Sequence, residues 1–266
     1  MEEKDTVIEM EKKSPEIFEP KDKGFFSLLG ESFKFFLLHL PAIATIVVPV
    51  FLVVEILVPL LSNFIPDLAD DLTGVAFLDD LLNEIIRGII IALTGAIIGG
   101  IAWIATIRVI ASSIRGDKIP PIQAMKDGTA MLPMFIATAI LYYLLVAIGV
   151  MLLIVPGVIL YIYFTFWQFS YVLRGKGAFS ALSYSKDLVS GNFIRVSLNV
   201  VGIWIVMYVL NNVVIGLIAS NVATLVGEDG SAPYLIVNAI FTALGKVFEG
   251  VRIIFLLSLF KDLEKS

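Results

Sequence analysis

The chain has 266 residues, 58% of them apolar and only 16% charged, with a formal net charge of −5 and a mean hydropathy of +0.94. A soluble domain holds about 45–50% apolar and about 25% charged residues, so this surplus exceeds what an aqueous interior can bury, and a water-soluble enzyme is excluded. With no cysteine and one histidine, the chain has no disulfide framework, thiolate metal site or imidazole cluster.

Residues 1 to 24 mix both charge signs and lack the apolar core and small-residue cleavage site of a signal peptide. They read as a disordered cytoplasmic tail, residues 1–24. Six apolar runs follow, at Phe35–Leu61, Ile85–Ile110, Met131–Val155, Val158–Leu173, within Val196–Val226, and at Tyr234–Phe260. Runs of this length must be helical in lipid, which offers no partner to unpaired backbone groups. The fold class expected is therefore all-α: a polytopic membrane bundle of six transmembrane helices with short interfacial amphipathic helices, forming one domain over residues 25–263. Run four is the shortest; at about 1.5 Å per residue it reaches only about 24 Å across a core of about 30 Å. Val155-Pro156-Gly157 marks a tight turn before it, and extension through Arg174 completes the span.

Basic residues test this count. Fifteen of the nineteen fall before run one, between runs two and three, between runs four and five, or after run six, and none lies in segments 63–84, 156–157 and 226–233. The positive-inside rule then places both termini in the cytoplasm of a prokaryotic inner membrane. The cytoplasmic junctions echo one another: Gly24-Phe25-Phe26-Ser27-Leu28-Leu29-Gly30-Glu31-Ser32 aligns with Gly177-Ala178-Phe179-Ser180-Ala181-Leu182-Ser183-Tyr184-Ser185, and more loosely with Ile122–Gly128. Each reads as a short interfacial helix preceding a hairpin. Run two carries Ala92, Ala96 and Gly100 with Gly95 and Gly99, spacings that let helices approach closely. Pro49 is expected to kink run one. The aromatic residues crowding run four, from Tyr161 to Tyr171, suit an interfacial belt.

The sharpest local feature is Lys246, Glu249 and Arg252 in run six. A charge at mid-membrane costs about 2.5–3.5 kcal/mol on insertion scales, so it needs compensation. The i, i+3, i+6 spacing lets Glu249 pair with either base. Two readings stay open: a relay or anion site facing a wet cavity, or a self-neutralising structural cluster packed against Asn211 or Asn212. Glu55 and Arg87, near the outer ends of their runs, form a candidate structural pair. Six carboxylates between Pro66 and Glu84 (Asp67, Asp70, Asp71, Asp79, Asp80, Glu84) match no calcium loop and read as a solvated acidic face. His39 reads as an interfacial residue. No zinc-protease, nucleophile-elbow or phosphate-loop motif is present, and no basic patch beyond the topological one suggests nucleic acid. No catalytic residue, cofactor or metal is assigned; the expected partner is the lipid bilayer.

Val155-Pro156-Gly157-Val158-Ile159-Leu160, the aromatic run after it, Ala181-x-x-x-Ser185-x-x-Leu188-x-x-Gly191 and Leu259-Phe260-Lys261-Asp262-Leu263 together resemble a broad superfamily of prokaryotic membrane proteins. That superfamily includes the membrane domain of some glycerophosphoryl diester phosphodiesterases and many uncharacterised six-span relatives. The resemblance, over about residues 120 to 263, implies the fold and an inner-membrane location and supplies no catalytic residue. The function expected is non-enzymatic, a scaffold or accessory role in the cell envelope. The alternative is a small-solute or ion transporter or channel using Lys246, Glu249 and Arg252.

Overall fold

The computed structural model describes residues 23–62, 73–117, 119–227 and 231–265, which are helical nearly throughout, with no strand among them. We label the helices α1 (Phe25–Ser62), α2 (Ala76–Arg115), α3 (Pro121–Leu152), α4 (Ile154–Tyr163), α5 (Trp167–Arg174), α6 (Ala178–Ser190), α7 (Phe193–Tyr208), α8 (Gly216–Val226) and α9 (Ala232–Lys265). A π-helical segment, Val209–Ile215, joins α7 to α8 without a break. The acidic residues Asp67, Asp70 and Asp71 lie outside the described residues, as do residues 1–22 of the tail.

Local chemistry explains where the helices begin and end. Gly116 and Gly175 adopt left-handed φ values of 81° and 64°, and their N–H groups return to carbonyls of the final turns of α2 and α5. Only glycine enters that conformation without steric cost, so each acts as a stop. α1 runs through Pro41 and Pro49 as one continuous helix.

The turn between α3 and α4 lies at Leu153, a few residues earlier than Val155-Pro156-Gly157 suggests. Pro156 sits in the first turn of α4, where a missing N–H removes no intrahelical bond. Gly157 instead serves the packing: a Cβ there would come 2.7 Å from the backbone nitrogen of Val150, so the two arms meet backbone to backbone. The fourth apolar run is broken at residues 164–166, between α4 and α5. The orphaned groups are recovered by Ser185 of α6, whose hydroxyl donates to the Tyr163 carbonyl at 2.8 Å and accepts the Phe166 N–H at 3.0 Å.

Of the three junction stretches, only the one at 177–185 forms a separate helix, α6, ended by the break at Gly191 and Asn192. Those at 24–32 and 122–128 continue into α1 and α3, which run on through Pro41 and Pro133 without a break. The echo survives as a common orientation. Phe26, Ile122 and Phe179 point outward, whereas Leu28, Ala124 and Ala181, and then Ser32, Gly128 and Ser185, are buried.

The core is aromatic at one end. Phe166, Trp167, Phe169 and Tyr171 of the fourth run are buried rather than ranged along the surface as a belt, and the rings of Phe166 and Phe169 each pack 5.8 Å from that of Phe260. The break at 164–166 resets the helix so that this stripe faces inward. Of the small residues of α2, Gly99 and Gly100 meet neighbouring helices, whereas Ala96 is exposed and Gly95 has open space beside it. Gly99 meets the Phe51 ring of α1, Gly100 meets Leu132 and Phe135 of α3, and a Cβ on Gly128 would lie 2.9 Å from the Ile101 carbonyl oxygen.

Among the described residues, five helical stretches are long and apolar enough to cross a membrane: Phe25–Glu55, Ala76–Arg115, Pro121–Leu152, Ile154–Arg174 and Phe193–Val226. α9, with 34 residues, is longer than three of these, but Lys246, Glu249 and Arg252 interrupt its apolar sequence.

Candidate functional site

Those three charges lie beside an open cavity of about 470 Å³ between the α7–π–α8 helix and α9, two of whose lining residues, Trp204 and Tyr208, are more than half exposed. One wall carries Trp204, Tyr208, Asn211 and Asn212; the other carries Thr242, Lys246, Glu249 and Arg252. Spacings of three and four along α9 bring Thr242, Lys246 and Glu249 onto one face. On the opposite helix the geometry changes where the site requires it: the Gly216 N–H bonds the Asn211 carbonyl five residues back, and this wider turn holds both asparagines against the cavity.

Glu249 and Arg252 compensate one another. The guanidinium Nε donates to Glu249 Oε2 at 2.5 Å, and Asn211 Nδ2 donates to Glu249 Oε1 at 3.5 Å. Asn211 Oδ1 is buried and has no hydrogen-bond partner among the described residues, and a Cβ on Gly245 would stand 2.7 Å from it, so glycine is what admits the amide. The Arg252 guanidinium also lies 5.0 Å from the centre of the Trp103 ring, whose Nε1–H donates to Gln168 Oε1 at 2.8 Å. Four helices therefore fix one arginine: α9 carries it, the π segment and α2 contact it or its partner, and α5 orients the indole. Lys246 differs. Its Nζ lies 5.7 Å over the Phe51 ring of α1, and it makes no ion pair among the described residues.

The structure brings the triplet together with Asn211, the partner expected from run five. It does not join Glu55 to Arg87: among the described residues no ion pair links them, and Arg87 reaches Glu84 at 3.7 Å. His39 Nδ1 donates to the Phe35 carbonyl at 3.0 Å, and its ring stacks on Phe35. Asp79 is buried and accepts the Thr73 N–H and hydroxyl, fixing the approach to α2. Among the described residues no group of histidine, aspartate or glutamate side chains is arranged to hold a metal ion. Trp103 and Gln168 escape sequence reasoning because they meet across 65 positions with no local pattern.

A second polar cluster closes the other end of α9. Glu264 accepts both Nε and Nη2 of Arg174 at 2.7 Å and the Tyr184 hydroxyl at 2.8 Å, while Arg195 pairs with Asp262. Burial pushes the Lys261 ammonium below its ordinary range. On α2, Arg108 reaches Asp127 of α3 at 2.6 Å.

A family model described as a domain of unknown function, DUF7847, matches residues 81–263, which include every residue named on the cavity walls. No curated protein matches, and no solved structure matches.

Proposed function

The chain belongs to the DUF7847 family, and on that premise we propose that it is a non-enzymatic integral inner-membrane protein that admits a small charged solute between its fifth and sixth spans. Five apolar helices and the asymmetric basic residues support a bilayer location with both termini in the cytoplasm. The proposed sixth span is α9. Its charges are tolerable there because Glu249 offsets Arg252 and the Lys246 ammonium lies over the Phe51 ring beside the cavity.

The single observation that carries this reading is the cavity of about 470 Å³ at Lys246, Glu249 and Arg252. The Glu249–Arg252 pair alone would suit a scaffold equally well. A scaffold would be expected to close such a space, since close packing is what holds helices together in lipid, whereas an open cavity beside Lys246, which makes no ion pair among the described residues, suits a solute.

The absence of cysteine makes the test direct. Thr242→Cys places the only thiol on the cavity wall. Rapid modification by a charged, membrane-impermeant methanethiosulfonate in proteoliposomes is the expected result. A thiol that stays unreactive until the protein is denatured would reject the solute reading in favour of the scaffold.

A further inference from the structure

We infer that the solute is a small organic monoanion, a carboxylate joined to an apolar body; the inference rests on the solute reading above. The charge count comes first. Glu249 neutralises Arg252 through the 2.5 Å contact, so the excess on the cavity wall is the single positive charge of Lys246, which has no ion pair among the described residues. A cation would meet net repulsion there, and an anion net attraction.

Valence follows from which base is left. A guanidinium would bind a carboxylate or a phosphate through two parallel N–H donors, but Arg252 is already held by Glu249 and stacked on Trp103, so its charge is spent within the protein. What remains is one ammonium, a point charge that matches one negative charge. Size and lining then argue against a bare inorganic ion. A water occupies roughly 30 Å³ of liquid, so a chloride-sized ion would touch only a small part of the lining of an open cavity of about 470 Å³. The rest of the lining mixes Trp204, Tyr208, Ile215 and Phe241 with the polar side chains of Asn211, Asn212 and Thr242. An apolar body against these rings, with its carboxylate at Lys246, fills the space and satisfies the charge. Such an anion enters either from water or from the bilayer, and the chemistry at Lys246 is the same.

The test is calorimetric titration of the full chain in lipid nanodiscs. The probes are benzoate, its neutral counterpart benzyl alcohol, the dianion phthalate, and oleate introduced with the lipid. Benzoate is expected to bind more tightly than either benzyl alcohol or phthalate. Lys246→Met should weaken benzoate about tenfold, the scale of one lost charge contact, while Lys246→Arg retains it. Glu249→Gln releases Arg252 and adds a positive charge, so the order should reverse toward phthalate. That reversal also serves as the test should Lys246→Met fail to fold. Binding of oleate alone, with the same dependence on position 246, supports the class and places the source in the bilayer. Equal binding of benzoate and benzyl alcohol, or a well-folded Lys246→Met with unchanged affinity, overturns it. A reactive thiol at position 242 with no anion bound rejects the anion class and leaves the solute cavity standing; an unreactive thiol removes both.

Discussion

Among single residues, Glu264 shows how far contacts reach beyond local pattern. Burial on its own would raise its carboxyl, but the hydrogen bonds from Arg174 and Tyr184 and the charge of Lys261 outweigh that, and the group is held below its ordinary 4.5. A carboxylate depressed in the folded state contributes stability above its unfolded pKa, and that contribution is lost as pH falls through the folded value. The thermal midpoint in detergent should therefore decline as pH drops below 4.5, and Glu264→Gln should flatten that decline. Because Arg174 is part-exposed, the neutral variant should cost only about 1 kcal/mol at pH 7. An unaltered pH profile in Glu264→Gln would show that the cluster carries no such linkage. Nothing in the sequence marks Glu264, whose partners lie 80 and 90 positions away. The cavity triplet was legible for the opposite reason: three charges inside an apolar run are conspicuous wherever they pack. Their partner on the facing helix was half legible, since adjacent asparagines in an apolar span are unusual, but the π turn that aims them leaves no sequence mark.

At the scale of helices, the break at residues 164–166 depends on one hydroxyl. Ser185 is fully buried and satisfies a carbonyl and an N–H that neither α4 nor α5 can serve. Ser185→Ala leaves both unpaired in a dry interior, at an expected cost of about 1–3 kcal/mol, read as a lowered unfolding midpoint in detergent. A variant as stable as the parent would mean that water supplies the missing bonds. Gly245→Ala probes the other interrupted helix. Its Cβ would come 2.7 Å from Asn211 Oδ1, so the amide should swing away from Glu249, destabilising by about 1–3 kcal/mol and changing thiol reactivity at position 242. Five of the six apolar runs appear as long apolar helices because length and hydropathy suffice to define them. What hydropathy does not encode is a helix broken and resumed within one run. The fourth run is apolar before its break and carries Gln168, Ser170 and Arg174 after it, but that change in composition does not say that the helix stops and resumes there.

For the molecule as a whole, the residues that build the site are also those that obscure the span carrying it. Removing three charges from α9 would leave an ordinary apolar helix; keeping them lowers its hydropathy while creating the cavity's chemistry. The six-span proposal thus depends on sidedness more than on hydropathy. If α9 crosses, the chain crosses an even number of times and the two chain ends share one face; if it lies outside the bilayer, the count is five and they are separated. Single cysteines decide this in an otherwise cysteine-free chain. In intact cells, an impermeant maleimide should label Val75→Cys, before α2. Asp117→Cys, Ser183→Cys and Lys265→Cys should label only after permeabilisation, all three on the side rich in lysine and arginine. Labelling of Lys265→Cys from outside, with Asp117→Cys and Ser183→Cys still protected, would leave five crossings. α9 would then start and end on one face, and its charges would need no compensation by Glu249 or by the cavity.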